Sequence, residues 1–143
     1  HLTTNGTRAL NAASPAREVL IASFCNVDAV VQYLKSVRET MEETYFVVSG
    51  KEGRYCLEDT VCVGAVIAGL LDPPGLGYEL TDSARTAIDL YTLYGERLND
   101  MVCQCSHGRY LRDIGLEDDL RECIKMNTSD LVPHMRDGWI TKE

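Results

Sequence analysis

Positive charge is scarce in this sequence. Fourteen lysines and arginines stand against 22 aspartates and glutamates, leaving a net charge of -8. A nucleic-acid backbone requires clustered lysine and arginine, so the composition argues against nucleic acid as the main partner. Long apolar runs are also absent. None approaches the roughly 18 residues that cross a bilayer, and the longest, around Val61 to Leu71, is interrupted by glycines and reads as a buried helix. No membrane partner is therefore expected. Neither an initiator methionine nor a signal-like leader opens the chain, and we read it as the interior of a longer cytoplasmic protein. A complete P-loop, a dinucleotide fingerprint, internal repeats and low-complexity tracts are all missing.

The six cysteines, at 25, 56, 62, 103, 105 and 123, lie in apolar or helical surroundings and do not punctuate short loops. They read as reduced, buried thiols. Two glycosylation-like triplets, Asn5-Gly6-Thr7 and Asn127-Thr128-Ser129, carry little weight without a secretory signal.

With 143 residues, 45% of them hydrophobic, the chain suits a single α/β domain over residues 1–143. Leu2 to Thr4 reads as the end of a strand, Asn5-Gly6 as a tight turn, and Thr7 as the cap of a short helix through Ala13. Glu18 to Phe24 has the continuous apolar character of a strand covered on both faces. Asn26 is placed to cap the next helix, whose stripe is Val27, Val30, Val31 and Leu34. Tyr45 to Val48 reads as a second buried strand, so strand, helix and strand imply a parallel, right-handed crossover. A long helix is expected from about Asp82, with Ala84, Ala87, Ile88, Tyr91, Leu98 and Met101 toward the core. Ser106-His107-Gly108-Arg109 interrupts the helical pattern as a loop, a further helix runs from Glu117 to about Lys125, and Leu131 to Met135 reads as a closing edge strand.

The chemistry concentrates in the stretch from Ser49 to Gly69. Gly50 and Gly53 let a loop approach a ligand closely, while Lys51 and Arg54 supply positive charge. Glu58 and Asp59 stand at the start of a helix, where carboxylates suit the dipole and can hold a hard cation such as Mg2+. Acidic residues there are also ordinary capping features. The Asn5-Gly6-Thr7 turn can cradle an oxyanion, with Arg8 adding charge, although spacing alone favours an ordinary Asn-Gly turn with a capping threonine. Cys103 and Arg109 have the C-x5-R spacing of cysteine-dependent phosphatases, but in a helical context that would not activate the thiol. Cys103, Cys105 and His107 give three crowded zinc ligands without a second knuckle.

Four segments, in order along the chain, carry a resemblance: Thr3-Thr4-Asn5-Gly6-Thr7-Arg8-Ala9-Leu10, Glu58-Asp59-x-x-Cys62-x-Gly64, Ser106-His107-Gly108-Arg109-x-Leu111 and Gly115-Leu116-x-x-Asp119. Together they resemble the 2-phosphosulfolactate phosphatase family. The resemblance implies a three-layer α/β/α fold with a largely parallel central sheet, and Mg2+-dependent hydrolysis of 2-phosphosulfolactate to sulfolactate and phosphate in coenzyme M synthesis. It implies that Thr4, Asn5, Gly6 and Thr7 line the anion site, that Glu58 and Asp59 position metal or water, and that His107 lies near the substrate. Lys51, Arg54 or Arg8 would meet the sulfonate or carboxylate. The family's Asp-Val-Leu-Arg, Gly-Glu-Arg and Gly-Asn-Ser-Pro segments have no counterpart here, since Gly95-Glu96-Arg97 falls within a helical pattern far downstream. The expected partner is a small anionic phosphate ester, with a homo-oligomer allowed. The alternative is a non-catalytic module that binds a small anion.

Overall fold

The computed structural model describes residues 4–75 and 77–142. Its elements in chain order are α1 (Thr4–Ala13), β1 (Val19–Leu20), α2 (Val27–Val37), α3 (Leu57–Leu70), α4 (Asp82–Tyr94), α5 (Leu98–Gln104), α6 (Ser106–Asp113), α7 (Glu117–Cys123), β2 (Pro133–Arg136) and β3 (Trp139–Lys142). Helix and sheet are mixed, as an α/β reading requires. The largely parallel central sheet, however, is not what the described residues form. They build a three-stranded sheet in the order β1-β2-β3, with both pairings antiparallel. Pro133 opens β2, where its missing N–H costs least, yet β2 is the central strand and not the expected edge. Residues 137 and 138 reverse the chain into β3 with φ of 53° at Asp137 and 79° at Gly138, the left-handed pair that a two-residue hairpin demands.

Tyr45 to Val48, expected as a buried strand, joins no sheet among the described residues. Tyr45 is 80% and Val47 50% exposed. Its composition is that of a strand, but no strand among the described residues lies beside it to cover it.

α3 is the hub. One of its faces puts Ala65, Val66 and Leu70 against Val27, Val30, Val31 and Leu34 of α2, all buried. Val61, on another face, packs with Phe24, Leu98, Met101, Val102 and Leu120. The apolar spacing in α2 made its stripe readable, and burying each such side chain stabilises by about 1.5–3 kcal/mol. α4 lies along α3 with Ala87 buried, and the Thr81 hydroxyl caps it by accepting from the Ala84 N–H at 3.3 Å. Gly95–Arg97 breaks the expected long helix into α4 and α5.

Three local expectations are corrected. α1 already begins at Thr4, so no turn separates Asn5-Gly6 from the helix, while Leu2 and Thr3 lie outside the described residues. Asn26 does not cap α2. Its Oδ1 accepts from the Ser23 N–H at 2.8 Å, and its amide nitrogen donates to the carbonyls of Ile21 and Leu131 at 3.1 and 2.9 Å. The cap comes instead from Asn127, whose Oδ1 accepts from the Asp28 N–H at 2.9 Å. The third is Ser106 to Arg109, which opens α6 and is no loop.

Cys62 packs against both apolar clusters. Burial, with the charges of Asp59 and Cys25 adding, pushes its thiol up from 9.0 to about 12. Above pH 9 the unfolded thiol ionises while the folded one does not, so this group stabilises fully below pH 9 and loses its contribution as pH rises toward 12. The loss approaches about 1.4 kcal/mol per pH unit. Urea midpoints at pH 8 and pH 10 should therefore fall further for the natural sequence than for Cys62→Ala. Equal falls would mean that the thiol is not desolvated. Among the described residues, no helix is long and apolar enough to cross a membrane.

Candidate functional site

The start of α3, the start of α1, the first turn of α6 and the loop before α3 meet at one cleft of about 220 Å³. Its lining includes Asn5, Ser49, Gly50, Lys51, Cys56, Glu58, Asp59 and His107. The loop owes its shape to a miniature hairpin, in which the Lys51 N–H donates to the Arg54 carbonyl at 3.1 Å and the Arg54 N–H to the Lys51 carbonyl at 2.9 Å. Glu52 and Gly53 turn it with positive φ. A Cβ on Gly50, itself at φ 62°, would lie 2.6 Å from the Arg54 carbonyl oxygen, so only glycine suits this corner.

Asp59 anchors the loop to α3. Its Oδ2 accepts from the Gly50 N–H at 2.7 Å and from the Ser49 hydroxyl at 3.1 Å, charge-assisted bonds of the stronger kind. Asn5 on α1 accepts from the Glu52 N–H at 3.2 Å, tying a second element to the same turn. Lys51 reaches across to α6, with Nζ 3.4 Å from His107 Nδ1 and 4.3 Å from the centre of the Tyr110 ring. His107 and Tyr110 stack at 6.2 Å and 16°. Three residues apart on one helix, they face the same way. The ring face of Tyr110 attracts the ammonium and so holds Lys51 at the mouth of the cleft.

Two thiols border Glu58. Burial first, then the charges of Glu58 and Asp59, push Cys56 up to about 11. Cys105 is also raised, chiefly by burial and against the opposing N–H of Gly108. Both are protonated near neutrality and are poor nucleophiles. Cys103 sits within α5 and does not join this lining, so the C-x5-R spacing forms no phosphate loop. No group of three or more histidines, cysteines, aspartates and glutamates among the described residues is arranged to hold a metal, which disposes of the crowded zinc arrangement within them.

Of the residues singled out in the sequence, Asn5, Lys51, Glu58, Asp59 and His107 converge on the cleft. Gly6, Thr7, Arg8 and Arg54 are not among its described lining, and Arg8 and Arg54 are exposed. Thr4 opens α1, but its side chain lies outside the described residues. Sequence reasoning missed Ser49, Cys56 and Tyr110. Only Tyr110 left a signal, its spacing of three from His107. Glu58 and Asp59 are two neighbouring carboxylates on one wall. That donor set is compatible with Mg2+, which binds through one or two carboxylates and keeps waters and substrate oxygens for the rest.

A family model described as 2-phosphosulpholactate phosphatase matches residues 1–138. The chain is similar to a probable 2-phosphosulfolactate phosphatase of Clostridium perfringens strain SM101, at 38% identity over 138 residues, covering 96% of this chain and 53% of that protein. Similar proteins of the same name occur in Cyanothece sp. PCC 7425, at 37% identity with 92% of this chain and 54% of the relative covered, and in Clostridium beijerinckii, at 34% with 99% and 57%. The chain thus spans a little over half the length of these relatives. A match of this extent, with the cleft residues inside it, means that the chain belongs to the 2-phosphosulfolactate phosphatase family.

Proposed function

We propose that the cleft binds a small anionic phosphate monoester and that, in the complete family protein, it hydrolyses it, with 2-phosphosulfolactate giving sulfolactate and phosphate as the leading candidate. One observation carries this reading: two carboxylates, Glu58 and Asp59, and a cation held against an imidazole, Lys51 beside His107, line a single cleft. Opposite charges on one small cleft suit a dianion that arrives with a divalent metal. Mg2+, held by Glu58 and Asp59, would offset the charge that builds on the phosphoryl oxygens.

This chain's own groups supply the rest. Lys51 and the Asn5 amide bind the ester's anionic groups, and Lys51 takes the sulfonate or carboxylate part that Arg8 and Arg54 are not placed to meet. Water attacks phosphorus as the bond to the ester oxygen breaks. Glu58 accepts the water's proton, and His107 returns one to the departing alkoxide. Asp59 holds the loop through Ser49 and Gly50, keeping Lys51 in reach.

The test is phosphate release from 2-phosphosulfolactate with and without Mg2+, by this chain and by Glu58→Gln, Asp59→Asn and Lys51→Met. Metal-dependent release should fall by about 100-fold or more in the Glu58 and Asp59 variants. Release that ignores metal, or survives both substitutions, would sink the assignment. The limited coverage of the relatives favours one second reading, a module that binds the anion without turning it over. Binding of the ester that is lost in Lys51→Met, with no release, would select it.

A further inference from the structure

Lys51 stands on the corner that Gly50 and Glu52 turn with φ of 62° and 53°, and hydrogen bonds at residues 50 to 52 fix its backbone. They do nothing for its four-carbon stem, which carries large rotamer entropy and swings in water unless something holds it. What meets the ammonium comes from α6. Nζ lies 4.3 Å from the centre of the Tyr110 ring and 3.4 Å from His107 Nδ1, and the two rings stack 16° from parallel. An ammonium has three donors and no acceptor. At this contact Nδ1 is therefore the accepting nitrogen of a neutral imidazole, which puts the ring's one proton on Nε2.

We propose that Tyr110 is a positioning residue of the cleft: its ring face holds Lys51 against His107 Nδ1, and that contact commits His107 to the Nε2–H tautomer. Tyr110 is not among the described lining and acts through its two neighbours. Two consequences reach a bound anion. The ammonium waits at the mouth already ordered, so binding does not have to restrain it, and His107 offers an oxyanion an N–H and not a lone pair. The attraction comes from the ring's quadrupole and needs no hydroxyl. Phenylalanine should therefore serve in its place, while an aliphatic side chain should not. Tyr110 is half exposed and belongs to neither apolar cluster, so either replacement leaves the core alone. The anion served is that of the function proposed above, on which this step rests, but the ordering of Lys51 and His107 precedes any ligand.

Tyr110→Phe and Tyr110→Leu are compared with the natural sequence by NMR without ligand, and then by titration with 2-phosphosulfolactate and Mg2+. Protons above an aromatic face are shielded. The Lys51 ε-methylene resonances should therefore lie upfield in the natural protein and in Tyr110→Phe, and return to the ordinary lysine position in Tyr110→Leu. At about pH 8, above the ordinary imidazole range, the His107 nitrogens should show Nε2 protonated and Nδ1 bare, with the Nδ1 resonance displaced in Tyr110→Leu alone. Affinity for the ester should fall about fivefold in Tyr110→Leu, the worth of one exposed cation–π contact, and be retained in Tyr110→Phe. Unshielded Lys51 resonances in the natural protein, a proton on Nδ1, or a Tyr110→Leu protein that matches the natural one in resonances and affinity overturns the proposal. If none of the three proteins binds the ester while the resonances behave as expected, the anion reading of the cleft falls and the positioning role stands.

Discussion

Gly64→Ala is expected to destabilise the protein by about 3 kcal/mol or more and to lower its melting temperature by about 10 °C. A Cβ at Gly64 would lie 2.0 Å from the Ala87 carbonyl oxygen, 2.7 Å from its carbon and 2.8 Å from Tyr91 Cβ. Two of these three atoms are backbone, and a helix backbone cannot rotate out of the way as a side chain can. α4 would have to move off α3 as a body, opening the packing around the buried Ala87 and the half-buried Tyr91 that joins both clusters. Gly69→Ala is the matched control, because there the new methyl meets only the Val31 methyls, at 2.8 and 3.3 Å, which can shift. Thermal and urea unfolding of the two variants side by side give the comparison. A Gly64 variant no worse than the Gly69 one would contradict the close approach of α3 and α4.

Gly108→Ala should be comparably damaging to stability and should also disable the cleft. The added Cβ would lie 1.7 Å from the Val102 carbonyl oxygen and 3.2 Å from Cys105 Sγ. The corner between α5 and α6 is closed by that sulfur, which donates to Val102 O and accepts from the Gly108 N–H, both at 3.3 Å. To admit a methyl, the first turn of α6 must swing away from α5 and take His107 and Tyr110 with it. The expected loss is again about 3 kcal/mol. At a temperature where the variant is still folded, the His107 ring resonances should shift and phosphate-ester binding should fall at least about tenfold, which is about 1.4 kcal/mol. Stability lost with His107 and binding unchanged would show that α6 positions nothing in the cleft.

What could be read from the sequence was what is local and periodic. The α2 stripe, the acidic start of α3, the core positions Ala87, Leu98 and Met101, and the cleft group of Lys51, Glu58, Asp59 and His107 all followed from spacing or from motifs. What could not be read depends on contacts far along the chain. Tyr45 to Val48 carries strand composition, but exposure is decided by neighbours that no local pattern reports. Gly108 looked like a loop residue, whereas it is a helical glycine required by the nearness of Val102. Asn26 precedes a helix as a cap would, yet its amide serves Leu131, more than a hundred residues away. The β2–β3 hairpin was available all along in Asp137-Gly138 between two short runs, and was missed because the first run was read as a chain-closing edge.

Asn26 also has something to say about the order in which the molecule can be made. Its amide is 4% exposed and completes its bonding only with the Leu131 carbonyl, while the first turn of α2 awaits Asn127. α2, α3 and α4 are consecutive helices and can associate as soon as they leave the ribosome. Until residues 127–131 have followed them, that nascent assembly carries an unsatisfied amide and an uncapped helix. Residues 127–131 are therefore the latch that commits the earlier helices to their final arrangement.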